Sequence, residues 1–137
     1  MTSFKILGKI SMICLLLFSA YGCDSNQASV TGTVTYRERI ALPSDATIQV
    51  QIQDVSLADA PAKVIGDITM PADGKQAPIP YEVKYNPENI QENHSYSMSV
   101  RIEDSSGKLL FISDTHTPVI TRGNPTQDVE IVVVPVG

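Results

Sequence analysis

Cysteine, histidine and tryptophan, on which many catalytic and metal sites depend, are scarce in this 137-residue sequence. It contains two cysteines, two histidines and no tryptophan. Both cysteines, Cys14 and Cys23, lie within the first 23 residues, so the rest of the chain has no thiol for a disulfide, a zinc site or a nucleophile. His94 and His116 are far apart in the sequence, and neither has a second ligand at metal-binding spacing. The sequence therefore predicts neither a metal site nor a cofactor.

Catalytic motifs are missing as well. The chain has no Gly-x-Ser-x-Gly segment and no glycine-rich loop of the kind that binds phosphate. Carboxylates do recur where predicted strands end, at Asp54, Asp67, Glu103, Asp104 and Asp114. Because aspartate accepts hydrogen bonds from turn amides, we expect these side chains to close turns, and we predict a protein that is not an enzyme. Two alternatives stay open: hydrolysis by a facing carboxylate pair, and a serine activated by one of the histidines.

The first 22 residues have the composition of an export signal. Lys5 and Lys9 precede an apolar run over 10–18, and small residues follow at Ser19 and Ala20. This order is typical of a cleaved signal peptide, and the run is shorter than the ~20 residues of a membrane-spanning helix. We therefore predict a signal peptide over residues 1–22.

The end of this segment, Ala20-Tyr21-Gly22-Cys23, resembles the lipobox of bacterial lipoproteins, in which the cysteine is acylated. We therefore predict lipidation of Cys23 and an acylated tether over 23–29, so that the protein faces the periplasm from a membrane. The alternative is ordinary secretion after cleavage near Ala20 or Gly22. Asp24 resembles an inner-membrane retention signal of enteric bacteria, or else simply opens a polar tether. The choice between inner and outer membrane stays open.

Basic residues are outnumbered by acidic ones. The whole chain has a formal net charge of −5, and loss of Lys5 and Lys9 with the signal leaves eight basic against fifteen acidic residues, a net charge of −7. An acidic domain without a basic patch argues against binding to nucleic acid or to anionic lipid head groups. We therefore expect the membrane contact to consist of the acyl chains on Cys23 alone.

Residues 30–136 form one domain's length of chain in which apolar and polar side chains alternate. Ile48, Val50 and Ile52, for example, alternate with glutamines. Period-two alternation is typical of half-buried strands, and turn residues separate the runs. The pattern predicts strands at 30–36, 48–53, 64–68, 79–85, 96–102, 109–112 and 129–134, with a helical turn only within 87–92. Seven short strands with regular turns predict an all-β, antiparallel, immunoglobulin-like β-sandwich.

Five blocks of sequence resemble a known family. They are Val-Thr-Gly-Thr-Val-Thr-Tyr at 30–36, Ala-Leu-Pro at 41–43, Ser-Leu-Ala-Asp-Ala-Pro at 56–61, Phe-Ile-Ser-Asp-Thr at 111–115 and Pro-Val-Ile at 118–120. These blocks resemble YbaY-type lipoproteins, which belong with the YscW-like proteins, lipid-anchored chaperones (pilotins) of type III secretion. The resemblance covers 30–136 and implies a β-sandwich. It also implies kinship with proteins that escort an outer-membrane secretin ring, whereas the YbaY branch has no firmly assigned activity.

These observations lead to one functional expectation and one alternative. We expect a lipid-anchored, non-enzymatic envelope protein that binds a protein or peptide partner in an assembly-factor or chaperone-like role. Such a domain can bind a partner by adding a strand at an exposed sheet edge. The alternative is a module that binds glycans or small molecules of cell-envelope polysaccharide. That alternative requires exposed rings among Tyr36, Tyr81, Tyr85 and Tyr96.

Overall fold

The structure is a computed structural model, and residues 27–136 are described here. The predicted signal peptide over 1–22, the predicted lipidation site Cys23 and the predicted sorting residue Asp24 lie outside the described residues. Within 27–136, no helix has the length and apolarity needed to cross a membrane.

Eight strands make up almost all of the regular structure in this part of the chain. They are β1 (Ala28–Thr35), β2 (Thr47–Asp54), β3 (Lys63–Pro71), β4 (Ile79–Tyr85), β5 (Tyr96–Glu103), β6 (Leu109–Ser113), β7 (Pro118–Val119) and β8 (Val129–Pro135). A 3₁₀ turn, Pro87–Asn89, lies within the predicted helical turn at 87–92, and the Asn86 side chain caps it by accepting a hydrogen bond from the Glu88 amide. The prediction of an all-β domain is confirmed.

The alternating side chains form one core. In β2, Ile48, Val50 and Ile52 are fully buried, while the glutamines between them are partly exposed. In β4 the alternation is complete over seven residues, from Ile79 to Tyr85. Because successive side chains of a strand point to opposite faces, this pattern places one face of β2 and one face of β4 against the same interior.

The strands follow one continuous hydrogen-bonded path, in the order β3-β2-β5-β6-β8-β1-β4, and β7 pairs with β5 beside β6. β8 connects the two halves of this path by changing partner: Val129–Val132 pairs with β1, whereas Val133–Pro135 pairs with β6. The sheet therefore curls into a nearly closed barrel. It does not divide clearly into the two separate sheets of the predicted immunoglobulin-like sandwich.

Two details differ from the predicted set of seven antiparallel strands. β1 and β8 are parallel, with Gly32 in register with Val129. The two-residue strand β7 is an eighth strand, too short to produce an alternating pattern. All the other strand pairs are antiparallel.

Gly32 allows β8 to lie against β1. An ideal Cβ at this position would lie 1.8 Å from the Val129 carbonyl oxygen, a distance that no side chain can tolerate. Tyr81, in register with Gly32 on β4, donates a hydrogen bond of 2.9 Å to the same oxygen. The glycine thus permits a close backbone approach that the tyrosine then stabilises.

The pairing defines two ends of the barrel. At the N-terminal end, Ala28 lies opposite Tyr85, and Asp54 lies between Lys63 and Tyr96. This end contains the loops 55–62, 86–95 and 120–128. The opposite end contains the end of β1, the loops 36–46 and 72–78, and the turn at 104–108.

Candidate functional site

The barrel is left open between β3 and β4. These strands stand at the two ends of the hydrogen-bonded path, so each has one edge that pairs with no other strand of residues 27–136. The two edges come close at Gly66, where an ideal Cβ would lie 2.8 Å from the Lys84 carbonyl oxygen and 3.0 Å from Val83 Cγ1. A side chain on Gly66 would therefore push the two edges apart. A free strand edge offers unpaired N–H and C=O groups to another chain.

The two free edges differ in character. β4 carries Pro80, which has no N–H to donate, and the charged Glu82 and Lys84, so it has the features that protect an edge from pairing. β3 is longer, at nine residues. It also carries two charged residues, Lys63 and Asp67, but its proline, Pro71, lies at its last position and not within the strand. On it Val64 is 44 % exposed, while Ile65 and Ile68 are only partly buried against the core. Of the two edges, β3 is the better suited to receive a partner strand.

A cluster of polar side chains lies at the N-terminal end, where β3 begins. His94 Nδ1 lies 2.7 Å from Asp54 Oδ2. Asp54 Oδ1 accepts hydrogen bonds from both the amide and the hydroxyl of Ser56. The Ser56 hydroxyl oxygen in turn accepts a bond of 2.9 Å from the Ser95 amide. These bonds fasten the start of the loop 55–62 to the chain just before β5.

The environment of Asp54 favours the ionised carboxylate. Partial burial acts to raise its pKa, but the hydrogen bonds from Ser56 and His94 outweigh burial and hold the pKa below its usual value. A general acid needs the opposite shift. The Ser56 hydroxyl donates to Asp54 and not to His94, so the three residues lack the nucleophile–base order of a serine hydrolase.

Beside this cluster is an open cavity of about 200 Å³, which runs from the start of β3 to the loop before β5. Its most exposed wall is Leu57, whose side chain is 73 % exposed. The cavity is lined by Asp54, Ser56, Leu57, Pro61, Lys63, Gln91 and His94. Leu57, the residue after the hydrogen-bonded Ser56, thus forms an exposed apolar tip at the N-terminal end of the barrel.

The carboxylates that end predicted strands are spread over the molecule. Asp54 lies at the N-terminal end, whereas Glu103 and Asp104 lie at the opposite end. Asp104 closes the turn before β6, since its Oδ1 accepts bonds from the Ser106 hydroxyl and amide and from the Lys108 amide. These bonds lower the pKa of Asp104, and the bond from the Ser106 hydroxyl has the largest effect. The turn-closing role is confirmed for Asp54 and Asp104. The prediction is wrong for Asp67, which lies within β3 and is exposed; Asp114 follows β6 and is exposed as well.

The two histidines lie in different places. His94 is half-buried against Asp54 and Tyr96, while His116 is exposed in the connection 114–117 between β6 and β7. No group of three potential metal ligands occurs anywhere in residues 27–136. The pairing of His94 with Asp54 escapes sequence analysis because 40 positions separate the two residues and only the pairing of β2 with β5 brings them together.

The four tyrosines that the glycan-binding alternative required are all buried. Their exposed fractions are 7 % for Tyr36, 5 % for Tyr81, 8 % for Tyr85 and 1 % for Tyr96. Three of the hydroxyls make internal hydrogen bonds, Tyr36 and Tyr81 to backbone carbonyls and Tyr96 with the Gln91 amide. These rings serve the core and offer no stacking platform to a sugar.

Comparison with known families assigns the chain. The family described as "Type III secretion system lipoprotein chaperone (YscW)" matches residues 25–131, which is most of the sequence. The chain belongs to the YscW family. The resemblance expected from the sequence blocks is therefore confirmed.

Two relatives place this YscW-family chain more closely. It is 41 % identical over 108 residues to "Uncharacterized lipoprotein YbaY" of Escherichia coli strain K12, a match that covers 79 % of this chain. The match spans only 56 % of that relative's own length. It is also 45 % identical, with a TM-score of 0.73, to the solved structure of an alternative pilotin from the type II secretion system of Vibrio cholerae. That match covers 80 % of this chain and 99 % of the pilotin, so the two share the fold over nearly the whole pilotin.

Proposed function

We propose that this protein is a lipid-anchored assembly factor of the bacterial envelope that binds an extended peptide segment of a secretion component. Cys23 carries the acyl chains, and the barrel faces the periplasm. Membership of a lipoprotein-chaperone family and likeness to a pilotin support this role. The proposal assigns no catalytic residue, and the bond from Ser56 to Asp54 is in keeping with that.

The single observation that carries the proposal is the free edge of β3. An added strand would continue the sheet from β2 through β3, with its main-chain groups paired to those of β3. Val64 and the half-buried side chains on β3 would contact apolar side chains of the incoming segment.

A charge placed on the β3 edge tests this role. Val64→Lys should abolish co-purification of a secretion-system protein from detergent-solubilised membranes, because a lysine on an edge strand opposes strand addition. Val136→Lys is the matched control, since Val136 is 43 % exposed against 44 % for Val64 and lies at the opposite end of the barrel. Equal capture by the two variants would show that the partner does not use β3, and capture of porins alone would remove the partner-binding role.

The anchor is tested separately. Mass spectrometry of the mature N-terminus should find an acylated cysteine at position 23, and Cys23→Ser should release the protein into the soluble periplasmic fraction. An unmodified thiol at position 23 would contradict the proposal. Membrane fractionation of the wild type and of an Asp24→Ser variant then decides whether Asp24 directs sorting to the inner membrane.

The glycan-binding alternative finds no favourable observation. It depended on exposed rings among four tyrosines that the fold buries. The cavity beside Asp54 has one exposed apolar wall and no aromatic side chain other than the His94 imidazole. The observations therefore favour the peptide-binding role.

A further inference from the structure

Leu57 is the most exposed large hydrophobic side chain of residues 27–136, at 73 %. It lies in the loop from Val55 to Lys63, where six of the nine residues are apolar and Asp59 and Lys63 are the only charged ones. The loop is therefore electrically neutral although the protein as a whole is acidic. Single exposed apolar residues are common on protein surfaces, so it is the position of Leu57 on a neutral, apolar loop that is informative.

The loop is held in place rather than free. Asp54 and Ser56 fasten its first residues to His94 and Ser95, and the Val55 amide donates a further bond of 2.9 Å to the Ser95 carbonyl. The Ala60 amide approaches the Leu57 carbonyl across the tip of the loop. Leu57 is thus presented at a fixed position, beyond the ends of β2 and β5.

The position of Leu57 indicates what covers it. Ala28, where β1 begins, and Asp54, after which the loop begins, lie at the same end of the barrel. Only the residues between Cys23 and Ala28 separate the proposed acyl chains from β1, and fully extended they span at most roughly 17 Å. Ile40, the next most exposed large hydrophobic residue, lies at the opposite end, about a strand length of roughly 26 Å farther from the anchor.

We propose that the loop 55–62 is a membrane-docking element, in which Leu57 inserts into the interfacial region of the bilayer that holds the acyl chains. The inference rests on the proposed lipid anchor, adds an orientation to it, and replaces the expectation from the sequence that the acyl chains alone contact the membrane. With the N-terminal end against the lipid, the opposite end of the barrel points away from the membrane and the free edge of β3 runs outward from it. Acyl chains and Leu57 together give two points of contact, which restrict the tilt that a single tether would allow.

Fluorescence quenching in vesicles tests the orientation. The mature acylated protein, reconstituted into vesicles of phosphatidylethanolamine and phosphatidylglycerol, has no free thiol once Cys14 is removed and Cys23 is acylated. A single fluorophore is placed through Ala60→Cys, beside Leu57, or through Ala41→Cys, the matched control beside Ile40. Nitroxide groups attached to lipid acyl chains near the head groups should quench the label at position 60 several-fold more strongly than the label at position 41.

A second variant shows whether Leu57 is responsible. Leu57→Ser in the Ala60→Cys protein should lower quenching to the level of position 41, while the protein still floats with the vesicles. Equal quenching at positions 60 and 41 in floating protein, or no effect of Leu57→Ser, would overturn the docking element and leave the anchor intact. If the protein did not float with the vesicles and Cys23 carried a second label because its thiol was free, both the anchor and the docking element would be overturned.

Discussion

Removal of one hydroxyl from the interior gives a sharp test of how the barrel is joined. Tyr81 is 5 % exposed, and its hydroxyl donates at 2.9 Å to the Val129 carbonyl, the oxygen that approaches Gly32 most closely. Tyr81→Phe deletes this donor with little change in shape. It leaves the carbonyl of Val129 without that bond at the place where β8 meets β1.

The expected loss of stability follows from the burial of this bond. Leaving a buried carbonyl without its partner costs about 1–3 kcal/mol. For a domain of this size, each kcal/mol corresponds to roughly 4 °C in melting temperature, so Tyr81→Phe should lower it by about 4–12 °C. The matched control is Tyr85→Phe, because Tyr85 is also buried, at 8 %, and its hydroxyl makes no hydrogen bond to another residue of 27–136. We expect the control to be close to neutral.

The same variant changes the response to alkali. Burial raises the pKa of Tyr81 above the value of about 10 that it has in the unfolded chain. The folded state therefore holds this proton more tightly, so the associated stability is fully present below pH 10 and is lost as the pH rises above 10. Above pH 10, titration of Tyr81 should lower the free energy of unfolding of the wild type by up to about 1.4 kcal/mol per pH unit. Tyr81→Phe should remove this contribution to the dependence of stability on pH. Burial also raises the pKa of Tyr85, so a smaller slope remains.

Urea unfolding followed by circular dichroism, at pH 7 and again between pH 10 and 11, measures both effects. The reasoning would be refuted if Tyr81→Phe were as stable as Tyr85→Phe at neutral pH. It would also be refuted if the free energy of unfolding of both variants fell with pH, between pH 10 and 11, as steeply as that of the wild type.

Two further predictions concern close contacts and the polar cluster at the N-terminal end. Gly32→Ala should lower the free energy of unfolding by at least about 3 kcal/mol, because the new Cβ would clash with the Val129 backbone. Gly66→Ala should lower it by about 1–3 kcal/mol, because the new Cβ would push β3 away from β4. Thermal melts of both variants test this ranking, and an equal loss of stability would contradict it. Asp54→Asn should cost about 1 kcal/mol at pH 7. Because the pKa of Asp54 is lowered on folding, the stabilisation by its carboxylate is present above about pH 4 and is lost below it. The Asp54→Asn variant should therefore lose less stability than the wild type as the pH is lowered. Identical curves of stability against pH would refute the role of the cluster.

Local alternation allowed most strands to be predicted. The predicted strands at 48–53, 79–85 and 96–102 agree with β2, β4 and β5 to within a residue or two, because each buries alternate side chains on one face. β3 was predicted too short, at 64–68, since its edge position leaves Val64 and Ile68 less buried and weakens the pattern. β7 was missed because two residues cannot alternate.

The candidate site was only partly accessible to sequence analysis. The carboxylate at Asp54 was expected to close a turn, and it does so through Ser56. Its contact with His94 was not foreseen, because residues 40 positions apart leave no local signal. The exposure of Leu57 was also hidden, since a leucine near an alternating run is ordinarily a core residue.

The sequence by itself determined the export and lipidation hypothesis, the all-β class, the buried face of each long strand and the family resemblance, since all of these depend on short stretches of adjacent residues. Only the tertiary structure decided that β8 changes partner, that β1 and β8 are parallel, that the barrel opens between β3 and β4, and that Leu57 lies at the N-terminal end. Alternation fixes which side of a strand is buried. It does not fix which strand lies beside it, because pairing depends on contacts between distant residues, such as that between Gly32 and Val129.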